Sequence, residues 1–173
     1  AAALHTLIGS EYVVNVKDGG DRNCFIQDKP SAACAANEEV LTILGPINKT
    51  IGCGGTLYWN PNLIHYGMCE NPCEPSIPGI SMAHEAGHAL GAVLGLCYPS
   101  NDVGAYSSVY KTISKEEWRA VFFENNVRED LNVPLRYYYS TTPSPTSNSV
   151  NLSTKMVNPV NGEPIEYRFK GQK

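Results

Sequence analysis

His84-Glu85-Ala86-Gly87-His88 constrains this chain more tightly than any other stretch. The pattern is H-E-x-x-H. Residues four apart on an α-helix lie on one face, one turn above the other. His84 and His88 can therefore aim two imidazole nitrogens at one ion. Glu85 leaves the helix about 100° round from His84, close enough to hold a zinc-bound water without ligating the metal. Zinc lowers the pKa of such a water and the glutamate takes its proton, which is the chemistry of zinc peptidases. The surroundings suit a helix. Pro78-Gly79 breaks what precedes, Ser81 is a capping candidate, and Tyr98-Pro99 closes the segment. Gly87 and Gly91 each cost roughly 1 kcal/mol against Ala in a helix interior. With Ala83, Ala86, Ala89 and Ala92 they make a thin helix that can be packed closely on all sides. The competing expectation is an ordinary buried helix whose two histidines are satisfied by hydrogen bonds. A lone His would favour it; two at this spacing, with Glu85 between, favour one zinc ion per chain.

The 173 residues suit one domain, or one domain with a tail. The chain is 42% hydrophobic and 17% charged, which fits a globule with a sizeable core. A net charge of −4 gives no electrostatic case for nucleic acid or an anionic membrane. No run approaches the ~20 apolar residues of a membrane-spanning helix, so membrane insertion is not expected. The chain starts at Ala1 without a signal-peptide pattern, which leads us to expect one domain of a longer or processed protein. Six cysteines, at 24, 34, 53, 69, 73 and 97, are many for a cytosolic chain of this size. Their even number favours disulfides, with Cys69 and Cys73 as members, over thiols or a structural zinc site lacking a second Cys pair.

Read in order, Ala1 to Ile8 predicts a short helix and Glu11 to Val16 a strand. Asp18-Gly19-Gly20-Asp21 is a turn, after which Asn23 to Gln27 is expected to return as a hairpin partner. Lys29 to Glu39 reads as a loop or a short Ala-rich helix. Val40 to Leu44 is a strand ending at Gly45-Pro46. Thr56 to Asn60 is a strong strand stopped by Pro61, and Glu70 to Gly79 is a Pro-rich loop. Pro99 to Tyr110 is a turn-rich connection. Ser114 to Asp130 predicts a second helix from the spacing of Trp118, Val121, Phe122 and Leu131. Asn132 to Tyr139 is a loop entering an extended segment, Thr141 to Ser149 is low-complexity, and Met156 to Phe169 suits a hairpin around Asn161-Gly162.

A strand, then a helix bearing H-E-x-x-H, then another helix is the zincin layout. An edge strand over such a cleft can bind extended substrate through main-chain hydrogen bonds. Tyr58, Trp59 and Asn60 are the candidate for that strand; the alternative is a plain core strand. The third metal ligand is left open by spacing alone. Leu94 stands where a metzincin would have its third His, and His5 and His65 lie upstream. Asp102, followed by Tyr106, lacks the surrounding aspzincin pattern. Glu117 on the next predicted helix suits a gluzincin, although Ser114-Lys115-Glu116-Glu117 also fits a capping box. Glu124 and Arg128, at i and i+4, read as a helix-surface pair.

Three blocks downstream carry a resemblance. Glu116-Glu117-Trp118-Arg119-Ala120-Val121, then Glu124-Asn125-Asn126-Val127-Arg128-Glu129, then Val133-Pro134-Leu135-Arg136-Tyr137-Tyr138-Tyr139 resemble the NleD-type bacterial effector zinc peptidases. Those carry E-E-aromatic-R-T-V, E-N-x-I-R-E and L-P-L-R-x-x-Y. The context Tyr58-Trp59-Asn60-Pro61 and Ile77-Pro78 is also similar, and the match runs from about Tyr12 to Tyr139. The E-E-x-R segment resembles the clostridial neurotoxin light chains too, where the second Glu ligates zinc. The resemblance implies Glu117 as third ligand, with Arg136 and Tyr139 as candidate donors to the developing oxyanion. Tyr106 and Tyr110 are runners-up. Phe122-Phe123 replaces a Gly-containing pair, and the chain beyond Ser140 is outside the match.

The expected fold is α+β and zincin-like, a small mixed sheet on the H-E-x-x-H helix and a second ligand-bearing helix. Residues 1–140 form the expected metallopeptidase domain, and 141–173 a Ser/Thr/Pro-rich connection and hairpin-like tail. The expected function is a zinc endopeptidase, a secreted bacterial effector or toxin delivered into a target cell to cleave a protein there. It would act as a monomer or as a domain of a larger secreted protein. The alternative is a non-catalytic binding module on a zincin fold with a structural zinc.

Overall fold

The computed structural model describes residues 2–28, 38–42, 45–49, 52–63, 78–95, 115–139, 141–142, 149–150 and 156. Within them the chain is mixed α+β, with three helices and a small three-stranded sheet. Helix α1 (Ala2–Ile8) is followed by β1 (Val14–Asp18) and β2 (Cys24–Gln27). Strands β3 (Glu38–Thr42) and β4 (Gly45–Lys49) pair with each other, so Gly45-Pro46 opens a strand instead of ending one. Strand β5 (Gly55–Trp59) precedes helices α2 (Pro78–Val93) and α3 (Lys115–Asp130). The short strands β6 (Thr141–Thr142) and β7 (Ser149–Val150) pair antiparallel.

The main sheet has the order β1-β5-β2, with β1 parallel and β2 antiparallel to β5. The expected β1–β2 hairpin is therefore not formed. The turn after β1 wraps around the end of β5 and holds its two arms one strand apart. Gly19 N donates to Trp59 O at 3.0 Å, and Asn60 N donates to Asn23 Oδ1 at 2.6 Å. Asn60 Nδ2 closes the wrap by donating to Gly20 O.

This order also overturns Tyr58, Trp59 and Asn60 as a substrate-binding edge. Both flanks of β5 are already paired, so its main chain has no bonds to offer an added strand. Asn60 is spent on the turn, and its Oδ1 also accepts Asn62 N. Trp59 Nε1 donates to Pro78 O at 3.2 Å, tying β5 to the start of α2. Among the described residues the free edge beside α2 belongs to β2.

Helix α2 starts at Pro78, where a missing N–H costs nothing and φ is already helical. Ser81 lies inside its first turn and donates its hydroxyl to Pro78 O, so it is not the cap. The helix ends at Val93, before the expected Tyr98-Pro99, because Gly95 takes a left-handed φ of 69° and returns its N–H to Ala92 O. Ala92 O also accepts Cys53 N, which pins the approach to β5 under the helix end. Helix α3 closes similarly at Asn132, φ 53°, with Asn132 N on Glu129 O and Val133 N on Arg128 O.

The core lies between sheet, α2 and α3. Leu57, Ile80, Ala89, Trp118, Ala120, Val121 and Tyr138 are buried there. Burying a side chain the size of Ile80 or Val121 stabilises by about 1.5–3 kcal/mol. Met156, 1% exposed, belongs to this core, and its N–H donates to Tyr137 O at 2.7 Å. The chain beyond 140 therefore returns to the domain at that point. The expectations for 29–37, Glu70 to Ile77, Tyr98-Pro99, Pro99 to Tyr110, Ser114 and the hairpin beyond Met156 lie outside the described residues. So do Cys69, Cys73, Asp102, Tyr106 and Tyr110.

Candidate metal centre

The close crossing of α2 and α3 sets the geometry. A Cβ on Gly87 would stand 3.0 Å from Ala120 Cα, and one on Gly91 would overlap the Arg119 guanidinium. The small residues of the thin helix thus lie where α3 passes, one turn from the histidines. His84 and His88 project together, ring centroids 5.1 Å apart and rings at 75°. Glu117, in the first turn of α3, reaches between them.

The Nε2 atoms of His84 and His88 lie 3.2 and 3.3 Å from the same oxygen, Glu117 Oε2. Donors around a tetrahedral zinc with bonds of 2.0–2.1 Å stand about 3.3 Å apart. The triad His84, His88, Glu117 is therefore a possible metal site in spacing and in chemistry, two imidazoles and a carboxylate. The other ring nitrogens also face carboxylates. His84 Nδ1 is 3.2 Å from Glu124 Oε2, and His88 Nδ1 is 3.5 Å from Glu116 Oε1. Such partners fix the ring and leave Nε2 for a metal.

The electrostatics follow from this packing. Burial alone would lower the pKa of His88, but hydrogen bonds to Glu116 and Glu117 outweigh it and hold the imidazole up to about 9. His84 is likewise raised, with Glu117 and Glu124 overcoming its burial. Burial would raise Glu117, yet its hydrogen bonds to the two histidines drive it well below the usual carboxylate range. Glu124 is held just as low against its own burial by Arg136, His84 and Arg128.

Glu85 is 9% exposed, and burial raises its pKa against the pull of His84 and His88. Its carboxylate accepts the Phe25 amide of β2. Tyr139 is half-buried with its hydroxyl bonded to Glu117, and burial followed by that carboxylate pushes the phenol up. Arg136 lies behind the centre. Nη1 donates to Glu124 Oε2 at 2.7 Å, Nη2 to Tyr139 O at 2.7 Å and Nε to Tyr138 O at 3.2 Å. Its guanidinium also stands 5.2 Å from the Tyr139 ring centroid.

The triad, Glu85 and Tyr139 are thus brought together; Trp59 and Asn60 are employed elsewhere, and Tyr58 lies under Arg22 on the sheet. The expected surface pair Glu124–Arg128 exists, Arg128 Nε donating to Glu124 Oε1 at 2.7 Å, but both residues are buried. A helical count from Glu117 contains the signal. Val121, Glu124 and Arg128 fall on its face at i+4, i+7 and i+11. Comparison with family models, with curated proteins and with solved structures returned no match.

Proposed function

We propose that the chain is a zinc-dependent endopeptidase of zincin-like fold, a secreted effector or toxin of the NleD type that cleaves a protein of a target cell. The observation that supports it most is the shared approach of both Nε2 atoms to Glu117 Oε2 at tetrahedral spacing, with Glu85 beside them. His84, His88 and Glu117 would hold the zinc, which when bound would supply a Lewis acid and make water acidic enough to ionise near neutral pH. Glu85 accepts the proton of the attacking water and passes it to the leaving amine; its raised pKa suits both tasks. The Tyr139 hydroxyl is the donor for the oxygen on which negative charge develops. Arg136 orients Tyr139 through its carbonyl and ring, so its role is positioning. An extended substrate lies along β2, whose outer edge faces Glu85 through the Phe25 amide.

That same amide bond favours a second reading, in which zinc and Glu85 only hold α2, α3 and β2 together in a binding module. One comparison separates them. Target cells receive wild-type protein or Glu85→Gln, and new protein N-termini are mapped. The enzyme reading expects cleavage products with wild type only, while both proteins hold one zinc and Glu85→Gln loses about 10²-fold or more in turnover. Turnover above about a tenth of wild type in Glu85→Gln would remove the general base from the proposal.

A further inference from the structure

Residues 133–137 have no regular secondary structure, yet their main chain is held at several points by α3. Arg128 Nη1 donates to Pro134 O at 3.0 Å. Asn125, fully buried, makes a two-way bond with one residue: Nδ2 donates to Arg136 O at 2.9 Å, and Arg136 N donates to Oδ1 at 2.7 Å. Arg136 then fastens the carbonyls of Tyr138 and Tyr139. Side chains satisfy here what a helix or sheet would satisfy elsewhere. A clamp serving only the loop would have no need of the metal centre. This one reaches it, because Glu124 Oε2 receives Arg136 Nη1 and faces His84 Nδ1 as well. Glu124 Oε1 is taken by Arg128, so the 2%-exposed carboxylate is enclosed by two guanidiniums and an imidazole.

We propose that Glu124, Asn125 and Arg128 are positioning residues that couple occupation of the His84–His88–Glu117 centre to the order of the Tyr139-bearing segment. Were His84 to ligate a metal through Nε2, its ring would be fixed and its proton kept on Nδ1, which already faces Glu124 Oε2. A fixed Glu124 holds Arg136, and Arg136 holds the segment from which the Tyr139 hydroxyl projects. Two sites that share an element in this way bias each other reciprocally. Metal strengthens the segment's order, and the ordered segment strengthens metal binding. The inference rests on the metal-binding part of the proposed function and is independent of peptide hydrolysis.

Hydrogen exchange across 133–139, with and without zinc, reads the coupling directly. Zinc should slow exchange there by about tenfold in wild type, inside the 5–150-fold range of ordinary coupling. Glu124→Gln, measured at saturating zinc, should erase that slowing. The same variant should weaken zinc by about 10–100-fold in competition with a chromogenic chelator. Arg136→Lys keeps the charge but loses the fork, so it should erase the slowing and, by the same linkage, weaken zinc by up to about tenfold. It also carries the test if Glu124→Gln does not fold. Glu116→Gln, which faces His88 away from the segment, should retain the slowing. Where wild type turns over a fluorogenic peptide from a library, Arg136→Lys should lower kcat and leave KM unchanged. Equal zinc-dependent protection in wild type and Arg136→Lys, or none in wild type with zinc bound, would overturn the coupling. Wild-type protein that shows the protection yet cleaves no peptide would sink the peptidase proposal alone.

Discussion

At the scale of single residues, the two adjacent glutamates of α3 separate sharply. Glu117 offers one oxygen to both Nε2 atoms, whereas Glu116 faces only the far side of His88. Glu117→Ala should lose zinc, leaving the purified folded protein with well under one ion per chain. Glu116→Ala should keep zinc with an affinity reduced by about 10–100-fold. Stoichiometry near one in Glu117→Ala, measured by metal analysis, would reject Glu117 as a ligand. The histidines predict a pH dependence. His88 titrates at about 9 in the fold against an ordinary 6.5. Its contribution to the stability of metal-stripped protein is therefore complete below about pH 6.5 and lost as pH rises through about 9. Thermal melts of chelator-treated protein should fall across that window, while apparent zinc affinity rises because fewer protons are displaced. A melting temperature that stays flat from pH 6.5 to 9 would contradict this. The two histidines were legible because H-E-x-x-H needs only one helix, whereas Glu117, on α3, was singled out only through the resemblance. Glu124 was misread because i,i+4 charge pairing is judged locally, and only a count from Glu117 puts it on the inward face.

Elements tell a different story about legibility. Helices α2 and α3 were recoverable from the H-E-x-x-H spacing and from apolar spacing, which are properties of neighbouring residues. Strand order was not, since the wrap of the Asp18–Asn23 turn around β5 depends on bonds between Asn23 and Asn60 and between Gly19 and Trp59. The expectation that Tyr58 to Asn60 form an edge strand open to substrate failed for that reason. Trp59→Phe tests the structural role now assigned. It removes the Nε1 donor to Pro78 O, so stability in urea should drop by about 1 kcal/mol. KM for any substrate should be unchanged; a raised KM without lost stability would restore the binding role.

For the molecule as a whole, the boundary expected at residue 140 meets Met156, which is buried in the core of the preceding domain. Met156→Ala should cost about 2–5 kcal/mol in denaturant unfolding, as for other large buried side chains. A loss within about 0.5 kcal/mol would mean that the tail is an appendage. The position of β5 has one more consequence, for the nascent chain. Among the described residues, strands β1 and β2 do not pair with each other, and each pairs with a strand that starts at Gly55. Until the ribosome has released that strand, β1 and β2 lack the partner they have in the described fold, with Val13, Val16 and Ile26 open to water even afterwards. Contacts so distant along the chain form slowly. Synthesis stalled before Gly55 should therefore yield a sticky fragment, and a holdase chaperone would find its binding site there.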